Sequence, residues 1–424
     1  MKKLLPILSG IFLCLSGIQA QIYKSEGMQM FLFNQPDAAS EAMGRGNAAS
    51  IGNPFLSTYN PASSMFLEGV SAQISGLELS FAYNAKASHN SYSAGVALGK
   101  YGALSFNLMH LGWNFDVLSS SQDLLPLGAY SPHTNIYSIN YSHFIFNGLS
   151  AGVNLNYYDN ETGSVHLNDL NNAVLLDNET GRVSKTAWTV DAGLMNKFSV
   201  PSPFALQEVY LGLSISNLFN TKITREIDTR YAYQYFSSNL KTWDYSYIDP
   251  DGRNRMPLDI RPYLLPVTEV TGNYLPSIMR FAAAYEIKPN AKTGDFNIIN
   301  GKVLLQYQDL LNSRYYTRYS AGAEIKLLEI VSLRFGWLNE TRENAHIIEK
   351  GSSSYFLTRN YASTTYGFGL DVPVKKLIYN LLPLTLRFDY TSIANRSDLL
   401  PRYYTALTEG ELTSVYTINL SYAL

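Results

Sequence analysis

The residues whose types and spacing could carry catalysis are few. Residues 148–152 read Gly-Leu-Ser-Ala-Gly, which matches the G-x-S-x-G pattern of hydrolases, where the serine lies on a sharp strand-to-helix turn. Here Ser150 follows an Asn-Gly turn and opens an alternating stretch, so we expect it in a strand. None of the six histidines has an H-x-x-x-H or H-E-x-x-H spacing. We therefore predict a non-enzymatic protein with no catalytic residue, no metal site and no cofactor.

The composition excludes another class of function. The chain has 424 residues, with 32 Lys and Arg against 34 Asp and Glu. Charged residues are 16% of the chain, below the roughly 25% of a typical soluble domain. A near-neutral chain gives no electrostatic case for nucleic-acid binding.

The N-terminus is typical of a secretory signal peptide. Lys2 and Lys3 precede an apolar run over residues 4–15, and Ala20 is a small residue at the expected cleavage position. We therefore predict a signal peptide over residues 1–20. Cys14, the single cysteine of the chain, lies inside it, so the exported chain can form no disulfide.

Beyond the signal peptide, the main signal is alternation with period two. Over residues 149–157, Leu149, Ala151 and Val153 alternate with Ser150 and Gly152. No uncharged apolar run of about 18 residues occurs, so no transmembrane helix is predicted. About fourteen stretches have strand character: 69–83, 91–99, 101–113, 133–145, 149–159, 186–198, 207–219, 274–288, 300–311, 316–327, 329–339, 359–370, 382–394 and 412–423.

The connections between these stretches alternate between short turns and long loops, with two exceptions. This asymmetry is typical of bacterial outer-membrane barrels, although a secreted β-sandwich is the alternative. We predict an all-β fold: a 14-stranded antiparallel transmembrane β-barrel over residues 69–424, in contact with lipid in the outer membrane of a Gram-negative bacterium.

Residues 21–68 precede the first strand and alternate poorly. They are either an extended tail or a plug in the lumen, because a barrel of this size is wider than its own side chains fill. Gly44 and Gly46 permit close backbone approach, and Asn60-Pro61 predicts a turn.

This segment carries a recognisable motif. The stretch from Pro36 to Ala49, which contains Pro-Asp-Ala and Ala-Met-Gly, and the later Tyr-Asn-Pro-Ala at 59–62 resemble the N-terminal signature of the PorV/PorQ family. That family of type IX secretion-associated proteins belongs to the FadL-like β-barrel superfamily. The resemblance implies a FadL-like barrel with a lumenal plug, whose motif residues are Pro36, Asp37, Ala42, Met43, Gly44, Gly46, Asn60, Pro61 and Ala62.

Charged residues occupy the polar faces of several predicted strands, and we expect them in the lumen. They are either a selectivity feature or a paired network that anchors the plug, and we favour pairing because uncompensated buried charge is costly. These residues are Glu324, Lys326, Arg334, Arg387 and Asp389.

The predicted loop 220–273 is rich in aromatic residues, as protein interfaces are. It is either a partner surface or a lid over the barrel. The aromatic residues that we assign to a partner surface are Tyr231, Tyr233, Tyr235, Trp243, Tyr245 and Tyr247.

Two functions follow. Similarity to PorV/PorQ implies a part in type IX protein secretion, with other secretion-system proteins, such as a large translocon or attachment machinery, as partners. The alternative is a FadL-like outer-membrane transporter of hydrophobic small molecules. The transporter predicts an apolar pocket bounded by the plug and a lateral break in the sheet, and a polar, filled lumen would count against it.

Overall fold

The structure is a computed structural model that describes most of the chain after the predicted signal peptide. The described residues are 37–80, 86–118, 126–130, 133–161, 165–167, 183–227, 232–237, 242–246, 260–263, 268–275, 277–293, 296–311, 316–347, 354–377, 383–393 and 413–423. The predicted signal peptide, Pro36, Tyr231 and Tyr247 lie outside them.

Long antiparallel strands make up the body of the molecule. In chain order they are β1 Val70–Ser80, β2 Lys86–Ala97, β3 Ala103–Leu118, β4 His133–Phe146, β5 Leu149–Glu161, β6 Val183–Val200, β7 Ala205–Ser216, β8 Ile278–Pro289, β9 Ile299–Leu310, β10 Tyr316–Leu327, β11 Val331–Ile347, β12 Ser354–Pro373, β13 Leu384–Ile393 and β14 Thr413–Tyr422.

Each of these strands pairs with its neighbour along the chain, and the ring closes because β1 also pairs with β14, with Ile74 opposite Ile418. The result is a closed barrel of 14 antiparallel strands, and the predicted fold class is confirmed. Closure leaves no barrel strand with an unpaired edge, which a sheet surrounded by lipid requires.

The alternation in the sequence determines which face of each strand is buried. In β5, Val153 and Leu155 are 50% and 44% exposed on the outside, whereas Asn154 and Asn156 are 1% and 3% exposed on the inside. The same division recurs around the barrel, so the outer surface is an apolar belt. Such a belt is stable only against lipid, and the chain is therefore a membrane-spanning barrel.

The two rims differ in the length of their connections. The rim that carries the start of β1 and the end of β14 has short turns, such as the one between β4 and β5, where Gly148 has φ +83°. We call it the short-turn rim, and the opposite one, from which the chain leaves β3, β5 and β13, the long-loop rim. Among the described residues, no helix is long and apolar enough to span a membrane.

Short elements extend or connect the barrel. Strands Pro126–Tyr130 and Val165–Leu167 continue the sheet beyond β3, and Lys292–Thr293 pairs with Phe296–Asn297 in the turn after β8. A short α-helix, Val374–Leu377, and a 3-10 helix, Gly99–Tyr101, lie at the short-turn rim.

Residues 37–69 lie inside the barrel, and we call them the lumenal segment. They form helix α1, Ala38–Ala42, and two 3-10 helices, Pro54–Thr58 and Pro61–Phe66. The side chains of Asp37, Asn53 and Asn60 cap the three helices, and a proline begins each 3-10 helix. The spacing of Asn-Pro pairs in the sequence therefore sets where the segment turns.

The predicted strand boundaries differ from the observed ones by up to eight residues: β11, for example, ends at Ile347 instead of residue 339. One of the differences interrupts the wall. The alternation predicts strands over 207–219 and 274–288, but β7 ends at Ser216 and β8 begins at Ile278. The chain resumes the sheet at Lys222–Ile227 and Thr268–Tyr274, which pair with each other. The predicted long loop 220–273 is thus shorter than expected, because both of its ends belong to the sheet.

Candidate functional site

The lumenal segment lies so close to the barrel wall that several wall positions have room only for glycine. A Cβ added to Gly212 would lie less than 3.0 Å from the carbonyl oxygen of Ala48, and one added to Gly152 would equally overlap the carbonyl of Pro61. Atoms of the segment lie too close to leave room for a Cβ at each of these wall glycines: Gly95, Gly152, Gly193, Gly212, Gly322, Gly336 and Gly367. The segment atoms are side-chain atoms at Gly95 and Gly367, but at the other five glycines they include backbone atoms, which cannot rotate away as side chains do.

Polar side chains of the wall satisfy the backbone of the segment. Gln306 Oε1 accepts hydrogen bonds from the backbone N–H groups of Asn47 and Ala48, both at 2.9 Å. The Oγ1 atom of Thr417 accepts one from Ala38 N at 2.9 Å. Asn60 Nδ2 donates to the carbonyl oxygens of Ala48 and Leu194, at 2.8 and 3.1 Å. The segment is therefore bonded to the wall as well as packed against it.

Asp37 is the most buried acidic group at the start of the segment. Its carboxylate accepts hydrogen bonds from Ser40 N at 3.1 Å and from Gln73 Nε2 at 2.9 Å. Burial raises the pKa of Asp37, the hydrogen bonds from Ser40 oppose that rise, and the negative charge of Asp389 adds to it. Burial also raises the pKa of the Tyr59 phenol, which therefore stays protonated.

The residues of the predicted plug motif, apart from Pro36, all lie in this segment. Met43 and Ala62 belong to a buried apolar cluster with Tyr210 and Leu304. Gly44 has φ +71°, and its backbone N donates to Thr365 Oγ1 at 3.2 Å. The remaining members lie in or beside the three helices: Asp37, Ala42, Gly46, Asn60 and Pro61.

Ser150, the serine of the G-x-S-x-G pattern, also contacts this segment. It is fully buried in β5, and its Oγ donates to the carbonyl oxygens of Ala62 and Met195, at 3.1 and 3.3 Å. A serine that donates to two carbonyls in a closed sheet has no resemblance to a nucleophile at a strand-to-helix turn. Groups of three or more His, Cys, Asp or Glu side chains that could hold a metal are absent from the described residues.

The five predicted lumen charges lie together near the short-turn rim. Arg334 bridges Glu324 and Asp389, with 2.7 Å between Arg334 Nη1 and Asp389 Oδ1. Arg387 Nε lies 2.7 Å from Asp389 Oδ2, and Lys326 pairs with Asp371. The arrangement is that of a paired network.

The same network continues around the lumen, and we call the whole set of pairs the charge belt. Lys197 Nζ lies 2.5 Å from Glu208 Oε1, and Lys302 Nζ lies 3.3 Å from Glu286 Oε1. Lys302 Nζ also donates to Ser50 Oγ at 3.1 Å, which ties the belt to the lumenal segment. Opposite charges alternate in the belt, so it offers no field of a single sign to select a permeating ion.

A pocket lies on the other side of the segment, toward the long-loop rim. Thr58 of the first 3-10 helix contributes to its floor, and it encloses about 40 Å³. One side is apolar, with Met109, Leu111 and Ile136, while the other carries polar and charged groups. This volume admits only a few water molecules, so a larger ligand requires the pocket to widen.

Arg280 and Asp191 are the charged groups of the pocket. Arg280 is buried, and it donates from Nε to Gln308 Oε1 at 3.1 Å and from Nη1 to Ser216 Oγ at 2.9 Å. Its guanidinium lies 5.8 Å from the ring centre of Tyr59. The guanidinium is thus held by three groups of the wall and the segment.

Asp191 connects this pocket to an irregularity in the wall. Its Oδ1 accepts a hydrogen bond from Asn217 N at 2.8 Å, and its Oδ2 accepts from Asn154 and Asn156 Nδ2, at 3.2 and 2.8 Å. Asn217 begins the interruption between β7 and its continuation at Lys222, and we call residues 217–221 with the facing Leu275 and Ser277 the wall break.

Side chains replace the regular ladder of the sheet at the wall break. Asn217 and Asn220 both have φ +50°, a conformation in which asparagine is tolerated better than most residues. Asn217 Nδ2 donates to Leu275 O at 2.8 Å, and Ser277 Oγ donates to Asn217 O at 2.8 Å. These two side-chain bonds, together with one backbone bond from Leu275 N to Thr221 O at 3.0 Å, hold the wall closed beside the pocket.

Sequence reasoning missed both the pocket charges and the wall break. Arg280 and Asp191 lie in ordinary alternating stretches, and their proximity depends on the register of strands β6, β7 and β8. The break did leave a signal in the sequence, since Asn217, Asn220 and Pro276 are poor residues for strand interiors.

The aromatic loop assigned to a partner surface contains its own sheet. Strand Ala232–Ser237 pairs with Thr242–Ser246 and with Ile260–Tyr263. Four of the six predicted aromatic residues lie in its first two strands: Tyr233, Tyr235, Trp243 and Tyr245.

Comparison with known proteins gives structural likeness only. No protein-family model and no curated protein matches the chain. A Pseudomonas aeruginosa FadL homologue is similar at 10% identity, covering 94% of this chain and 100% of that one, with a TM-score of 0.46. The Ralstonia pickettii toluene transporter TbuX is similar at 11% identity, covering 92% and 100%, with 0.45. The P. putida toluene transporter TodX is similar at 12% identity, covering 92% and 98%, with 0.42.

The contact of Gly212 with Ala48 makes a direct prediction. Gly212→Ala forces the segment away from the wall, because a methyl group cannot share the space of a carbonyl oxygen; overpacking of this kind costs about 1–3 kcal/mol. We expect single barrels of this variant in planar lipid bilayers to conduct ions intermittently, whereas the unmodified protein stays closed. Gly301→Ala is the control, since the nearest atom to its added Cβ is a side-chain methyl at 3.2 Å. Equal conductance of all three proteins would contradict the close contact between the lumenal segment and the wall.

Asn217 makes a second prediction, about the wall break. Asn217→Ala removes the side-chain bonds to Leu275 and Thr221 and places a less tolerant residue at positive φ, so we expect a loss of about 2–4 kcal/mol in unfolding free energy. Asn217→Gly removes the same bonds without the conformational cost and should lose less. Urea unfolding in lipid vesicles, followed by the gel mobility of the folded barrel, measures both. A variant pair with equal stability would show that the backbone conformation contributes nothing.

Proposed function

We propose that the protein is an outer-membrane barrel of a Gram-negative bacterium that takes up small, mainly apolar molecules. The molecule would be captured in the pocket above the lumenal segment and leave sideways, through the wall break, into the membrane. One observation carries the proposal: the pocket ends at a closed lumen but borders the break, because Asp191, Ser216 and Ile278 belong to the pocket and lie at or beside the interrupted ladder.

The closed lumen argues against a diffusion pore. Glycine contacts, wall hydrogen bonds and the charge belt all hold the segment in place, and a straight path would have to break them together. The segment and the charge belt fill the lumen below the pocket, including the apolar cluster of Met43 and Leu304, whereas Met109, Leu111 and Ile136 line space in the pocket. An apolar molecule is therefore favoured in the pocket and disfavoured below it.

Opening sideways requires less rearrangement than opening the lumen. At the wall break, two side-chain bonds, made by Asn217 and Ser277, and one backbone bond from Leu275 to Thr221 replace several ladder pairs. Separating a handful of such bonds costs a few kcal/mol, which binding of an apolar ligand can offset by burial of its surface. Binding of the ligand would also widen the pocket, whose volume of about 40 Å³ is otherwise too small for it.

Filling the pocket tests this function. Ile136→Trp places a large ring inside the pocket, so uptake of labelled apolar compounds by host cells with an intact lipopolysaccharide layer should fall to the level of cells without the protein. Ile139→Trp is the matched control on the same strand, because Ile139 is 52% exposed on the lipid face. Uptake that is equal with and without the protein, or equal in the two variants, would refute the proposal.

A second candidate is a part in type IX protein secretion. Its support is the motif of the lumenal segment together with the aromatic loop, which forms a small sheet and could present a surface to a translocon or attachment protein. A closed lumen suits this role as well, since a protein that only docks partners must not leak.

Gene deletion separates the two candidates. For the secretion role we expect cargo proteins of the native host to accumulate inside the cell, and extraction in mild detergent to recover the barrel with a large partner. For the transport role we expect normal secretion and a loss of uptake. Unchanged secretion after deletion would remove the secretion role from consideration.

A further inference from the structure

The pocket has two charges of opposite sign, and both are already bonded within the protein. Asp191 accepts three hydrogen bonds over its two oxygens, from Asn217 N and from the Nδ2 atoms of Asn154 and Asn156. Arg280 donates to Gln308 and Ser216 and stacks near Tyr59. Both side chains line the same small pocket, so a ligand there lies near two groups of opposite charge type.

From this geometry we infer that the pocket selects uncharged ligands and that Asp191 and Arg280 are the residues that determine this selectivity. The ligand class is a small apolar body that carries one neutral polar group, such as a hydroxyl. The inference rests on the proposed function, because it assigns the substrate class of the same pocket.

Charged ligands are excluded for a simple electrostatic reason. A carboxylate that approaches Arg280 also approaches Asp191, and an ammonium that approaches Asp191 also approaches Arg280. Each therefore loses its hydration without gaining a net attraction, which is unfavourable in a buried site. A hydroxyl has a much smaller desolvation cost, and the lining of the pocket offers Asn156 and Ser138 as partners.

The apolar side of the pocket determines what kind of body the ligand can have. Met109 and Ile136 pack with Phe55 and Tyr59 of the lumenal segment in one buried cluster. An aromatic or branched aliphatic body would extend this cluster, and its polar group would then face the Asp191 side. Removal of one charge should change the selectivity without changing the apolar side.

Three ring compounds of the same size test the inference: benzyl alcohol, benzoate and benzylamine. Binding to the full-length barrel in lipid nanodiscs is measured at pH 7.5 by saturation-transfer NMR titration, with empty nanodiscs subtracted. We expect benzyl alcohol to bind at least about tenfold more tightly than either ion. In Asp191→Asn, Arg280 is uncompensated and benzoate should gain about tenfold or more.

Arg280→Gln is the mirror variant, in which benzylamine should gain instead. It also keeps the test decisive if Asp191→Asn fails to fold, because the two substitutions remove different bonds: Asp191 binds Asn217 N, whereas Arg280 binds Gln308 and Ser216. Folding of each variant is checked by the heat-dependent gel mobility of the barrel. Should neither variant fold, the ratio of alcohol to benzoate binding in the unmodified protein decides.

The outcomes separate the inference from the proposed function. Tighter binding of benzoate or benzylamine than of benzyl alcohol to the unmodified protein overturns the inference and leaves uptake standing. Variants that bind all three compounds as the unmodified protein does also overturn it. Failure of all three to bind in any form of the protein overturns the proposed function itself.

Discussion

The structure depends on one constraint, the close approach of the lumenal segment to the barrel wall. A β-barrel of 14 strands encloses more space than its inward side chains fill, and here the backbone of residues 37–69 fills it. The approach is possible only because glycines such as Gly212 and Gly152 present no side chain at the contact. Everything else in the lumen is arranged around a segment that cannot move without displacing backbone atoms.

This constraint divides the lumen into two regions with different chemistry. Toward the short-turn rim, the charge belt alternates in sign and ties to the segment through Lys302 and Ser50. Toward the long-loop rim lies the small pocket with its apolar side and its compensated pair, Arg280 and Asp191. Asp191 also holds Asn217, so the site where a ligand would bind and the weakest part of the wall share one side chain.

The sequence predicts the barrel well because the alternation repeats in nearly every strand. Each strand then pairs with its neighbour along the chain, and the first strand pairs with the last. The sequence also indicates the lumenal segment, since Asn-Pro and Gly patterns mark its turns. It could not locate the wall break, although Asn217 and Asn220, both at positive φ, are poor strand residues within and just after the alternating stretch over 207–219. Nor could it bring Asp191 and Arg280 together, because their proximity depends on register across three strands, which alternation leaves undetermined.

The central claim is that passage avoids the lumen, and a disulfide tether tests it most directly. Ser64 of the segment and Ser105 of β3 have their Oγ atoms 3.1 Å apart, so Ser64→Cys with Ser105→Cys should form a disulfide that fixes the segment to the wall. The only natural cysteine, Cys14, lies in the predicted signal peptide. Uptake of an apolar compound should be the same in the oxidised and reduced forms of this variant. Uptake that stops on oxidation and returns on reduction would contradict a lateral path.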